Sequence, residues 1–236
     1  MTQAYRIHRR RNARRITLKV LPDQSIEIVA PPGLSERAIA LMVEDRRDWI
    51  ARARARLLKQ QQARSPALDN PFPKHIELPA INRLLSVHYD PTAQRNRLDW
   101  SAQQFTVAGA HDAERVSKAL IQALKSIAKA ELEPELHTLA QRHGYTLEHV
   151  GWRNQKTRWG SCRRTGQGSG RMSLNIRLLL LPPASACYVL AHELAHIDHP
   201  NHSPAFWQRV EALQPDYREH QQAIKQAAGQ LPSWVL

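Results

Sequence analysis

The sequence predicts an α+β fold in two parts: an N-terminal antiparallel β-rich region with one long helix, then a domain in which a short apolar helix packs beside a small sheet. Three observations predict it. Residues 5–30 and 76–108 alternate apolar and polar positions in strand fashion. Residues 35–62 and 111–143 repeat apolar residues at helical spacing. The segment Tyr188-Val-Leu-Ala-His-Glu-Leu-Ala-His-Ile197 sets two histidines and a glutamate on an otherwise apolar helical pattern. With 236 residues there is material for one or two domains, and the change of pattern divides the chain into 1–110 and 111–236.

Residues 5–8, 16–20 and 26–29 read as a small antiparallel sheet, the last two joined by a turn at Pro22-Asp-Gln24. The run Arg9-Arg-Arg-Asn-Ala-Arg-Arg15 at the first connection suits either a solvated loop or contact with a polyanion. Ser35 can cap a helix reaching about Gln62, with Ile39, Met42, Val43, Trp49 and Ile50 on one face. Its cations Arg52, Arg54, Arg56 and Lys59 spread round the helix, which argues against a nucleic-acid groove contact. Residues 63–74, with three prolines, read as a linker or exposed loop. Strands at 84–89 and 105–107 precede a long helix from His111 to His143, with Pro134 as a candidate interruption and Gly144 as its C-terminal cap. Residues 146–152 and 172–178 then give two strands flanking a loop at 156–170, the second of them expected at the sheet edge.

A net charge of +13 and a sequence pI of about 10.4 favour polyanionic partners such as nucleotides, nucleic acid or acidic protein. Two cysteines, Cys162 and Cys187, give no disulfide framework and fit a reducing cytoplasm. No segment approaches eighteen uncharged apolar residues and the first residues carry no signal-peptide pattern, so no membrane contact is expected.

On the 188–197 helix, His192 and His196 stand one turn apart with Cβ atoms roughly 6 Å apart, close enough to share one metal. Glu193 points about 100° away, suited to reach a water beside the metal and unsuited to ligate it, which is the position of a general base. Accidental occurrence of the motif is disfavoured because unpaired ionisable groups on an apolar helix are costly. A hydrolytic zinc needs a third protein ligand and one open position. His199 lies about 10 Å along the axis from His192 and precedes Pro200, which disfavours helical geometry there. His202 follows the Pro200-Asn201 break and precedes Ser203-Pro204, an N-cap and first helical position, so a turn can return it to the metal. Glu211 and Glu219 are the remaining candidates.

These residues, His192-Glu-Leu-Ala-His followed by Asn201-His-Ser-Pro-Ala-Phe-Trp207, resemble the YgjP-like predicted metal-dependent hydrolases. Lys156-Thr-Arg-Trp-Gly-Ser-Cys162, Leu174-Asn-Ile-Arg-Leu178 and the Leu-Pro-Pro lead-in follow the same family in the same order. The resemblance is strong from about Trp152 to Tyr217 and recognisable in the first seventy residues at Ala30-Pro-Pro and Asp48-Trp-Ile50. It implies a zincin-like domain with an edge strand beside the metal helix. The His-x-Pro-x-Phe pattern is also similar to SprT-like proteases, where the corresponding histidine completes the zinc site, which implies His202 here.

The expected activity is zinc-dependent hydrolysis of a peptide or protein, with His192, His196 and His202 holding the metal and Glu193 activating a zinc-bound water. The Trp159-Gly-Ser-Cys162 loop is expected to line the cleft, amid the cations Lys156, Arg158, Arg163, Arg164, Arg171 and Arg177. Arg158, Trp159, Asn175 and Tyr217 are the candidate substrate-binding residues, with an arginine or Tyr217 as oxyanion donor. A Cys162 nucleophile is disfavoured for want of a free partner base. Two alternatives stand beside this reading. One is a metal-dependent nucleoside triphosphate pyrophosphohydrolase, which the resemblance also implies. The other is a non-enzymatic nucleic-acid binder with structural zinc, against which Glu193 argues.

Overall fold

The computed structural model describes residues 5–21, 23–62, 65–109 and 112–236. The expected turn residue Pro22, the linker residues 63–64 and the helix start at His111 lie outside them. The chain forms two compact units, Met1–Ser65 and Pro66–Leu236.

In the first unit, β1 (Tyr5–Arg9), β2 (Thr17–Val20) and β3 (Ile26–Ala30) form a sheet in the order β1-β3-β2. The sheet is mixed, because β1 runs parallel to β3 while β2 runs antiparallel to it. The cause lies in burial. β3 carries Ile26, Ile28 and Ala30, all fully buried, and takes the centre. The basic connection between β1 and β2 is long enough to cross to the other edge. Within that connection's run, the Arg9 guanidinium donates to the carbonyls of Pro32 and Leu34, so it holds the chain leading into the helices.

Ser35 caps α1 (Glu36–Asp45) by accepting from Ala38 N–H. The single helix expected to Gln62 is two, because the chain kinks at Arg46, whose N–H is shared between the carbonyls of Met42 and Val43, before α2 (Arg47–Gln62). The kink explains a second departure from the helical pattern. Ile39, Val43 and Ile50 are buried, whereas Trp49 is 42% exposed.

The second unit begins with β4 (His75–Leu78), β5 (Arg83–Asp90), β6 (Arg97–Asp99) and β7 (Gln104–Ala108), ordered β4-β5-β7-β6. Its inward residues Ile76, Leu78, Leu85, Val87, Phe105 and Val107 share one core with the long helix α3 (Ala113–Arg142). The structural boundary therefore falls at 65/66 and not near 110: strands with a single apolar face need α3 to cover it. Pro134 does not interrupt α3. The indoles of Trp100 and Trp152 donate to Glu131 and Glu133 just before it, and Leu132 and Leu136 are buried on either side, so tertiary contacts offset the missing N–H. Gly144, at φ +77, ends the helix as expected.

A second sheet follows, built from β8 (Thr146–Arg153), β9 (Gly160–Gly166) and β10 (Ser169–Asn175) in the order β8-β10-β9. The stretch read as a loop at 156–170 thus contains a strand, and the strand read at 172–178 begins at Ser169 and gives way at Ile176 to a short 3-10 turn. β10 is central, so the expected edge at 172–178 is occupied on both sides, and β8 and β9 are the edge strands, β9 being the one packed against α4. The helices α4 (Pro183–Asp198), α5 (Pro204–Leu213) and α6 (Tyr217–Ala227) complete the unit, with α4 packed against β9, α5 and α6. Arg177, buried beneath them, donates to Asn154 Oδ1 and to the carbonyls of Val235 and Leu236. It anchors the C-terminal segment and does not belong to the basic gathering expected around the site.

Candidate metal centre

Pro183 opens α4 at its first position, where a missing N–H costs nothing, and the helix is buried almost all round. It stops at His199, whose extended φ of −127° fits a residue preceding proline. Ser203 then accepts from Phe206 N–H to start α5, so the segment between the helices is a short reversal with His202 on it.

That reversal brings His202 back to His192 and His196. The nitrogen donors of the three rings lie within 4.8 Å of one another, and His192 Nε2 sits 3.2 Å from His202 Nε2. Two ligands of a tetrahedral zinc, each at about 2.0–2.1 Å, stand roughly 3.4 Å apart, so the donor set fits such an ion. The other ring atoms are held from behind. His196 Nδ1 faces the His199 carbonyl at 3.1 Å, which leaves Nε2 for a metal when Nδ1 carries the proton. His192 Nδ1 faces the Tyr188 hydroxyl at 3.4 Å. His199 thus contributes its carbonyl to the cluster and not its ring, while Glu211 and Glu219 are exposed and stand outside it.

An aromatic stack fixes the rings. Phe206, fully buried, lies against all three histidines with centroids 4.5–4.9 Å away. Trp207 stacks on His202, Tyr217 on Trp207, and Tyr188 on Tyr217. The stack ties the His202 side of the cluster to the hydroxyl that faces His192. Tyr217, expected at the substrate, is buried inside this stack and does not line the cleft. Asn175 is likewise buried; its amide donates to the carbonyls of Gln155 and Arg158, which shapes the loop that carries Arg158 and Trp159.

A cleft of about 780 Å³ opens over the histidines. Arg158, Trp159, Gly160, Cys162, Arg163 and Arg164 form one wall, and Tyr188, Val189, Gln221, Ile224 and Lys225 another. Of the six cations expected there, Arg158, Arg163 and Arg164 are present; Arg171 instead faces Glu148 and Lys156 lies away from this cleft.

Glu193 is 6% exposed on the floor of the cleft, against the backbone of Gly160. A Cβ at residue 160 would come within 2.7 Å of the Glu193 Cγ and Oε1, so only glycine leaves room for this carboxylate. Burial pushes the Glu193 carboxyl up to about 7, against the pull of the Arg158 charge. Burial, then the neighbouring histidines, lowers His192 to about 4, and burial lowers His196 too, so these rings stay neutral and able to ligate. The Cys162 thiol is pushed up to about 12 by burial and then by the Glu193 charge, which removes it as a nucleophile at neutral pH.

Sequence reasoning put the loop that carries Gly160 in the cleft but missed the close approach of Gly160 to Glu193, the edge strand it opens, and the α6 wall. The α6 wall was legible in principle from Tyr217, Gln221 and Ile224 at helical spacing.

The profile of the YgjP-like metallopeptidase domain matches residues 14–227. The chain is accordingly a metal-dependent hydrolase. It belongs to the YgjP-like family. No curated protein matches the sequence significantly. Among solved structures, the metallopeptidase zymogen of Pyrococcus abyssi abylysin is similar at 23% identity over 47% of this chain and 97% of that one, with a TM-score of 0.31.

Proposed function

We propose that this chain is a zinc peptidase in which His192, His196 and His202 hold the metal and Glu193 is the general base. One observation carries the reading: three imidazole donors converge beside a buried carboxylate, in a cleft walled by a sheet edge. When bound, zinc supplies a Lewis acid that polarises a carbonyl and acidifies water. Glu193, set about one-third of a helical turn from His192, accepts the proton of the attacking water and delivers it to the leaving amine. Arg158, whose charge acts on Glu193, would stabilise a developing anion. The outer edge of β9, in place of the expected 172–178 strand, offers backbone hydrogen bonds to an extended peptide. Free Cys162 and Cys187 suit a reducing cytoplasm, and among the described residues no helix is long and apolar enough to cross a membrane.

The deciding assay sets unfolded protein and extended peptides beside nucleoside triphosphates, each with zinc-loaded protein and with chelator. Peptide bonds are expected to be cut in a zinc-dependent manner. Triphosphate cleavage that needs Glu193, with peptides untouched, would replace the reading by the pyrophosphohydrolase alternative, for which Arg158, Arg163 and Arg164 would serve as the phosphate clamp.

Gly160 supports this chemistry as a positioning residue. Gly160→Ala is expected to lower kcat about a hundredfold, the cost of misplacing a reacting group by about an ångström. Zinc content and thermal stability should stay close to the parent, because the Glu193 side chain can swing away. Unchanged kcat would show that the carboxylate works from another position.

A further inference from the structure

We propose that the cleft selects peptides with an acidic side chain three or four residues from the scissile bond, an inference that rests on the peptidase reading above. Arg163 and Arg164 on β9 and Lys225 on α6 are exposed and line the cleft from two elements. Among the described residues, none of the three has a carboxylate within ion-pair distance, whereas Arg46, Arg47, Arg97, Lys118, Arg171 and Arg209 each do. Arg164 gives only its Nε, to the Gly166 carbonyl. The lining contains one carboxylate among the described residues, Glu193, and it is buried at the reaction end.

Distance sets the position of the acid. Gly160 abuts Glu193. A strand rises about 3.3 Å per residue, so Arg163 and Arg164 start roughly 10 and 13 Å further along the edge. A peptide extended beside β9 advances at the same rate, which brings the side chains three and four residues from the cleaved bond to these guanidinium groups. Arginine presents a fork that matches a carboxylate, and the partners come from both walls. One exposed ion pair is worth up to about fivefold in an equilibrium, and the field of the other cations lining the cleft raises the expected preference to about tenfold.

The test walks a single Glu, its Gln twin and a Lys through each position of one extended peptide, using zinc-loaded full-length protein. The expected kcat/KM ratio of Glu to Gln is about tenfold at three or four residues on one side of the bond, near one elsewhere, and smaller at high salt. Arg163→Glu with Arg164→Glu should invert that ratio in favour of Lys. Equal rates for Glu, Gln and Lys at every position would overturn the inference while leaving the peptidase reading intact. If no peptide is cut, fluorescence anisotropy of the labelled Glu and Gln peptides on zinc-loaded Glu193→Gln protein decides. Tighter binding of the Glu peptide supports the inference and equal affinity overturns it. Displacement of that peptide by nucleoside triphosphate at lower concentration than by its own unlabelled form also overturns it, in favour of a phosphate-binding cleft.

Discussion

Replacing His192, His196 or His202 with alanine is expected to leave the protein without its metal, whereas His199→Ala should retain it. The three rings present converging donors, and removing one leaves two ligands on an ion that takes three from a hydrolytic site. An outer-shell partner alone is worth roughly 10–100-fold in metal affinity, so loss of a direct ligand should exceed that. His199 meets the cluster through its carbonyl, which the alanine variant keeps, so its zinc affinity should stay within about threefold of the parent, below even the outer-shell range. Zinc content after gel filtration and chelator-competition titrations measure both. A His202→Ala protein that binds zinc like the parent, together with a His199→Ala protein that does not, would exclude His202 as third ligand. Thermal melts give an independent readout: zinc should raise the Tm of the parent and of His199→Ala but not of the three ligand variants, since a ligand stabilises only the fold that binds it.

The contrast between His199 and His202 shows what the sequence made legible. Helical spacing alone places His192 and His196 together, and Pro200 with Ser203-Pro204 defines a break and a restart that carry His202 back. These are local rules, and the residues obey them locally. The edge strand β9 escaped notice because Gly160-Ser-Cys-Arg-Arg-Thr-Gly166 lacks the apolar alternation of a strand: its inner face meets α4 through glycine and cysteine, and its outer edge faces a cleft. Gly160 in particular is dictated by a side chain 33 positions away, which no local pattern encodes. Tyr217 and Arg177 misled for a related reason. A tyrosine or arginine near a motif reads as functional chemistry, yet one is stacked between Trp207 and Tyr188 and the other satisfies the C-terminal carbonyls. The boundary moved from 110 to 65 because sheet and helix were read as separate patterns, although neither buries its apolar face without the other.

Glu193→Gln is expected to abolish hydrolysis, with a loss of about 10²–10⁴-fold in kcat, while zinc content stays at the parental level. Glutamine keeps the volume against Gly160 and loses only the ability to take a proton. The same variant should also change how the metal-free protein responds to pH, in the opposite sense from a surface carboxylate. The folded Glu193 carboxyl, at about 7, lies above its ordinary 4.5. Its neutral form therefore stabilises the fold below 4.5, and that contribution is lost as pH rises through 7. Metal-free parent protein should thus lose Tm relative to metal-free Glu193→Gln between pH 4.5 and 7, with a constant difference above that window. His192 and His196 protonate in both proteins on the acid side, so their effect cancels in the comparison. Zinc opposes this loss, because a dication beside the buried carboxylate favours its ionised form. With zinc the fall in Tm of the parent relative to Glu193→Gln between pH 4.5 and 7 should shrink. A Tm difference that does not vary with pH would place the carboxylate in water, and a Glu193→Gln protein with parental kcat would remove it from the chemistry.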